Sequence, residues 1–520
     1  MKLEKVPLEA TGLFAPVFLD YLAGKSALKA FYNRKPQLAS FEGQLAEKQL
    51  PTSTRQVLQK VLRQQYQGHA ISGLVSSNLH LLSEPTTFTV TTGHQLNICT
   101  GPLYFIYKII TAINTCKALK AAYPAHDFVP VYWMATEDHD FEEINHFSLF
   151  GQKYTWETDQ EGAVGRYNPS SLKAVLNQLP EAVPLFEEAY STQPTLAQAV
   201  RHYVNALFGH EGLLVVDADD PQLKQVFAPV IKDDLLNHAA NDLVEERSAK
   251  MASMGYKTQV YPRTINFFYL DNGLRGRIVR ENREYKVLGT ELVFTEAEIL
   301  ALVESHPERF SPNVILRPLY QEMILPNLAY IGGAAEVSYW LQLKGVFDHY
   351  KVPYPIVMPR NLALYLPRTV AKKRQKIAID TADLFLGTTA LKKRYVARNA
   401  QSELTIEEER NKLTCVFDQL IKKAVELDKS LEGWAGAEKN KLIKSLENIE
   451  KRLQKTEERK HETALKQLEA IKEKLFPNNG LQERTENFLN FYLNNNDFIH
   501  NLTVQFDPFD YRFHVLVDDE

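Results

Sequence analysis

The residues 137–146 carry the densest chemistry in the chain. Glu137, Asp138, His139 and Asp140 are followed by Glu142, Glu143, Asn145 and His146, placing five carboxylates within positions 137–143. Such crowding is costly unless a cation is bound there. Asp, His and Glu are all metal ligands, and the same groups can take a proton from an attacking amine. Spacing alone leaves a metal site, an ammonium anchor and a solvated acidic loop all open. Glu137, Asp138 and His139 stand as catalytic candidates, with Asp140 and Asn145 as ligand contacts.

A second group is Thr92-Gly93-His94-Gln95 followed by Thr100-Gly101-Pro102. A glycine directly after a strand lets backbone approach a ligand, and the helix that follows presents free N–H groups to an anion. His94 can donate to a developing charge. It is the fourth catalytic candidate. Gly93, Gln95, Thr100 and Gly101, with Tyr104 and Lys108 beyond them, are binding candidates. A third group is Arg317 with Glu322, then Gly332-Gly333, Glu336 and Arg360. A guanidinium at a strand end suits bidentate recognition of a carboxylate or phosphate. An Arg317–Glu322 salt bridge explains the same residues equally well. Arg360 is the weaker case, since an arginine after a prolyl turn is usually a surface charge. Cys99 reads as apolar filler, and Asp217, Asp219 and Asp220 either contact a ribose hydroxyl or cap the helix opening at Pro221. No phosphate-loop lysine motif, nucleophile elbow or HExxH is present.

These groups need a scaffold. Phe88 to Thr92 is short and β-branched, as a buried strand should be. From Pro102 an amphipathic helix follows, with Leu103, Tyr107, Ile110 and Ile113 on one side. Phe128 to Ala135 is a second apolar strand. The βαβ unit so formed predicts a parallel sheet with its site outside the strands' carboxyl ends. Residues 212–221 resume the alternation. Leu328 to Ile331, a Gly-Gly turn, a helix over Ala334–Tyr350 and a strand at Pro355–Pro359 complete it. Residues 255–300 alternate around an Asp-Asn-Gly turn and predict a β-hairpin insertion.

The expected fold class is α/β: a Rossmann-type parallel sheet core with connecting insertions and a C-terminal α-helical coiled-coil domain. Residues 1–85 form an N-terminal helical segment. The core takes 86–149, 211–250 and 311–365, with insertions at 150–210 and at 251–310, the latter β-rich. Residues 366–500 are helical, with a coiled coil at about 432–476, and 501–520 add C-terminal strands. Leu442, Leu446, Ile449 and Leu453, then Leu465, Leu468, Ile471 and Leu475, resemble an a/d seam, weakened between them by Thr456 and Lys460. An antiparallel hairpin or a dimer is expected.

Composition excludes several classes. At 520 residues the chain is long enough for two to four domains of ~100–200 residues each. A hydrophobic share of 44% and a net charge of -4 argue against disorder and against a global field for nucleic acid. Three cysteines make neither a disulfide framework nor a zinc set. The N-terminus lacks a signal-peptide run, and Leu103–Ile113 is too short to span a bilayer. A cytoplasmic protein with no membrane association is expected.

The segments TGHQLNICTGPLYFIYK, PVYWMATEDHDFEEINH, LPNLAYIGGAAEVSYWLQLKGVF and LFPNNGLQER, in this order, resemble the bacillithiol biosynthesis cysteine-adding enzyme family. The resemblance spans most of the chain. It implies a ligase that joins L-cysteine to the amine of glucosaminyl-malate, the last step of bacillithiol synthesis, and a homodimer formed through the coiled coil. It also implies a core similar to that of class I aminoacyl-tRNA synthetases. ATP or another nucleotide is the expected activator, with no metal beyond a possible Mg²⁺. Arg317 and Lys108 are then the candidate cations for the malate carboxylates. The alternative is a metal-dependent hydrolase built on the acidic-His cluster 137–143.

Overall fold

The computed structural model describes residues 1–400 and 405–518. Residues 401–404 of the expected helical segment and 519–520 of the expected C-terminal strands lie outside them. Five strands form the central sheet: β1 (Thr87–His94), β2 (Asp127–Met134), β3 (Leu214–Asp217), β4 (Asn327–Gly332) and β5 (Ile356–Pro359). Their order is β5-β4-β1-β2-β3 and every pairing is parallel. The chain runs outward from β1 through β3, then restarts on the other side at β4. The boundary between β1 and β4 is therefore the switch point, where parallel sheets open a ligand crevice.

β1 is buried along almost its whole length because helices cover both faces. Its threonines satisfy their hydroxyls inside the sheet. Thr89 and Thr91 Oγ1 donate to Asn327 Oδ1 at 3.1 and 2.8 Å. Helix α1 (Tyr104–Ala122) is buried on nearly every side rather than on one. One side meets the sheet, and the other meets the C-terminal residues. Asn114 Nδ2 donates to Thr503 O and Phe506 O at 2.8 and 2.7 Å. Helices α2 (Pro221–Asn237), α3 (Arg317–Ile324) and α4 (Ala334–His349) complete the inner layers.

The N-terminal segment is not purely helical. Lys2–Val6 is a strand that pairs antiparallel with Phe513–Val517, which in turn pairs parallel with Ala363–Leu366. Phe513–Val517 is the one strand among the described residues of 501–518, which open on a helix over Phe498–Gln505. The first insertion also differs from expectation: a hairpin of His146–Leu149 and Gln152–Thr155 crosses its start. Within 251–310 lies a hairpin, with Phe267–Asp271 and Leu274–Glu281 joined through Asn272-Gly273.

In the helical region, α5 (Glu407–Leu427) packs on α6 (Leu431–Lys460), a hairpin. Leu446 is buried in α6, whereas Ile449 and Leu453 are exposed. The second half of the expected seam belongs elsewhere. Leu468, Ile471 and Leu475 of α7 (Glu462–Leu475) are buried in the main core beside Phe513 and Leu384. The register shift between the two stripes marks this change of partner.

Candidate functional site

A cavity of about 570 Å³ opens at the carboxyl ends of β1 and β4. Its wall includes Gly93, His94 and Gln95 from the end of β1, Glu137 and Asp138 beyond β2, Arg317, and Gly333 and Glu336 from the start of α4. Tyr104, Lys108 and Arg360 reach the same space. Segments more than two hundred positions apart thus converge. Thr100, Gly101, His139, Asp140, Asn145 and Gly332 do not line it.

Local geometry explains the division. Gly93 lies within β1, and a Cβ there would approach Tyr330 OH at 3.3 Å and Arg317 Nη1 at 3.7 Å. The glycine keeps the floor open. Cys99, Thr100 and Gly101 all have positive φ, and a Cβ at Gly101 would lie 2.5 Å from Asn97 Cβ. This turn faces inward, where Asn487 Nδ2 donates to Cys99 O and Gly101 O at 2.7 and 2.6 Å. Leu103 N donates to Glu486 O at 2.8 Å. The α1 terminus expected to receive an anion is instead held by protein. The start of α4 is likewise occupied, because Gly333 N donates to Glu336 Oε2 at 2.8 Å.

The acidic run disperses. Glu137 pairs with Lys224, which is fully buried and also donates to Phe310 O at 2.7 Å. Burial outweighs that cation and pushes the Glu137 carboxyl up to about 7. Asp138 accepts from Gln95 Nε2 at 3.0 Å and from Arg275 Nη1 at 3.2 Å. Against burial, its hydrogen bonds with His139 and the charge of Arg275 hold it well below the usual carboxylate range. Two adjacent acids are thereby set apart, one ready to take a proton near neutrality and one permanently charged. Asp140 and Glu142 point to solvent. His139 is exposed and its Nδ1 accepts from Arg275 at 2.7 Å. Asn145 lies by the hairpin, with Oδ1 3.0 Å from His146 Nδ1.

His94 is a neutral imidazole. Burial and the nearby Lys108 charge push it down to about 3. Its Nδ1 donates to Gln95 O at 3.0 Å, which leaves Nε2 as a buried acceptor without a partner among the described residues. It stacks on Tyr104 at 5.2 Å. With Nδ1 so engaged, the expected role of His94 as a donor does not fit this tautomer.

Arg317 opens α3 rather than closing a strand, since the strand before it is only Phe310–Pro312. Its Nη1 donates to Gln321 Oε1 at 3.1 Å. No Arg317–Glu322 bridge forms. Glu322 instead pairs with buried Lys48 at 3.2 Å. Arg317 Nη2 is buried without a partner among the described residues, and its guanidinium lies 5.6 Å from the Tyr330 ring. Lys108 is already engaged, bonding Gly93 O at 2.6 Å and Glu336 at 2.7 Å. It shapes the floor and is not a free cation for substrate. Against burial, Lys108 and the Gly333 N–H draw Glu336 down to about 2. Arg360 is buried, and Glu483 binds it bidentately at 2.8 and 2.6 Å.

Sequence reading missed Arg275, Tyr339 and Arg484, which also line the cavity. Arg275 comes from the second insertion, stacked 4.0 Å over Phe268, and Arg484 from the C-terminal region. Arg275 does sit in the recognised DNGLRGR turn, but nothing local ties that turn to Asp138.

Fold and site together define the class: a Rossmann-like α/β protein with a charged cavity at the sheet's switch point and a helical C-terminal region contributing to its wall. Residues 1–361 match the family "Bacillithiol biosynthesis BshC, N-terminal Rossmann-like domain", and residues 363–517 match "Bacillithiol biosynthesis BshC, C-terminal coiled-coil domain". The chain belongs to the bacillithiol biosynthesis BshC family. It is similar to a Flavobacterium psychrophilum protein named "Putative cysteine ligase BshC", 43% identical with 99% of each chain covered. A Cytophaga hutchinsonii protein of the same name is 41% identical over 97% of each chain. A Chlorobaculum tepidum protein so named is 29% identical, covering 85% of this chain and 84% of its own.

Proposed function

We propose that the chain is a C–N ligase that forms an amide between L-cysteine and the amine of glucosaminyl-malate, the last step of bacillithiol synthesis. The observation that carries this reading is one cavity holding a proton acceptor poised near neutrality, Glu137, together with the unmatched Arg317, in a chain whose relatives are named as cysteine ligases. An attacking amine must lose a proton as the amide forms, and Glu137 can take it. Asp138, fixed by Arg275 and Gln95, holds the amine beside it. Arg317 receives a carboxylate of the malate moiety.

Amide formation from a free carboxylate is uphill, and a nucleotide supplies the activation of the cysteine carboxyl when bound. The floor at Gly93, where a Cβ would crowd Tyr330 OH at 3.3 Å, suits a phosphate there. The residues of this chain bind and orient the reactants and hold the proton at Glu137.

The alternative metal-dependent hydrolase has no ligand set to rest on. Among the described residues no group of three or more His, Cys, Asp or Glu comes together to hold a metal ion. Glu137 and Asp138 are paired with Lys224 and Arg275 instead.

Purified protein given cysteine, glucosaminyl-malate and ATP is expected to yield the cysteinyl amide by mass spectrometry. Absence of product with every nucleotide tried would overturn the reading. The homodimer is part of the same proposal, supported by the exposed apolar side chains Leu420 and Leu427 on α5 and Trp434, Ile449 and Leu453 on α6. Analytical ultracentrifugation is expected to show dimers, with Ile449→Asp plus Leu453→Asp giving folded monomers. Among the described residues no helix is long and apolar enough to cross a membrane.

A further inference from the structure

We propose that Arg484, delivered by the short helix α8 (Gln482–Thr485), is a substrate-binding residue that forms with Arg317 a two-arginine clamp for a doubly negative group. The identity of that group as the malate moiety rests on the ligase reading; the clamp itself does not.

Arg484 is exposed on the cavity wall. Among the described residues its guanidinium has no hydrogen-bond or carboxylate partner, and it lies 5.9 Å from the Tyr104 ring. A free surface arginine is ordinarily a solvated charge. This one differs in how its backbone is held. Gln482 bonds both the N and the O of Tyr365, at 2.9 and 3.0 Å. Glu483 grips Arg360, and the residues after Thr485 bond Leu103, Cys99 and Gly101. The segment around 482–487 is thus pinned to the sheet's edge, and within it Arg484 is the side chain that lines the cavity.

Charge matching singles out the same residue. Five cations line the cavity against three carboxylates. Three of the cations are matched: Lys108 by Glu336, Arg275 by Asp138, and Arg360 by Glu483 from behind the wall. The third carboxylate, Glu137, is taken by Lys224. Arg317 and Arg484 remain. The chain as a whole carries a net charge of -4, so this local excess does not follow from a basic surface. Two planar guanidinium forks fit a ligand with two negative charges, either a dicarboxylate or a phosphate.

Titration calorimetry on the full chain distinguishes these sources, with L-malate in one arm and inorganic phosphate in the other. Wild type is expected to bind malate, with Arg484→Ala and Arg317→Ala each weakening it at least tenfold. Arg484→Lys should recover part of the loss, and Arg283→Ala, on an exposed hairpin, should leave binding unchanged. Binding of phosphate but not malate, with the same dependence on Arg484, supports the clamp with a phosphoryl occupant. Equal binding by wild type and Arg484→Ala overturns the proposal, as does binding of neither anion by wild type. The melting temperature of Arg484→Ala should match wild type. If it does not, Arg484→Gln takes its place. Malate binding that depends on Arg484 without any amide product would sink the ligase reading and leave the clamp standing. An Arg484→Ala enzyme with unchanged KM for glucosaminyl-malate would do the reverse.

Discussion

Glu137→Gln is expected to lower turnover by ~10²–10⁴-fold while the protein stays folded. Gln keeps an oxygen to accept from Lys224, so the buried ammonium is not abandoned. What is lost is a carboxyl that burial pushes up to about 7, close to the pH at which a general base is most effective. The wild-type rate should therefore rise through pH about 7 as Glu137 gives up its proton, and the variant should lose that limb. Stability moves the opposite way. In the fold Glu137 keeps its proton to about 7, against an ordinary value of 4.5, so the folded state binds more protons between those limits. Its contribution is full below the lower value and shrinks as pH rises through the upper one. Denaturant midpoints measured across this range should show that slope in wild type and not in Glu137→Gln. A variant with undiminished turnover would remove Glu137 from the reaction.

Glu483→Ala should be the most destabilising single change at the site, costing about 3–5 kcal/mol. Arg360 and Glu483 are nearly inaccessible, at 4% and 0% side-chain exposure, so truncating the acid strands a buried guanidinium. Activity should fall too, because Arg484 follows directly in the chain. Replacing both partners with apolar residues, Arg360→Met with Glu483→Leu, should restore much of the stability and little of the activity. Urea unfolding of the single and double variants measures the first effect, and turnover the second. A single-variant loss below ~1 kcal/mol would mean that the pair is solvated like a surface bridge.

The central sheet was legible because its evidence is local. Thr87–His94 and Asn327–Gly332 are short apolar or β-branched runs that end in or beside glycine and lead into a helix. The convergence of Gly93 and Asp138 followed from the rule that parallel strands open sites at their carboxyl ends; Arg317 reaches the same cavity from the start of a helix, not from the strand end on which it was read. Pairing was not legible. Nothing near Lys108 announces that Glu336 will neutralise it, nor near Arg360 that Glu483 will, 123 positions away. Thr100 and Gly101 looked like a ligand-facing turn because glycine near a strand has the same signature whether it serves a ligand or Asn487. The seam failed for a related reason. Leu446 and Leu468 share a spacing, but one packs within a helical hairpin and the other enters the main core.

The small sheet of Lys2–Val6, Phe513–Val517 and Ala363–Leu366 has a temporal consequence. Its middle strand is the one synthesised last, and it lies between strands made roughly 510 and 150 residues earlier. On the ribosome the first strand must wait, unpaired, while roughly 510 further residues are made. The cavity wall at 482–487 also arrives late, so a nascent chain holds Glu137, Asp138 and Arg317 well before Arg484 joins them.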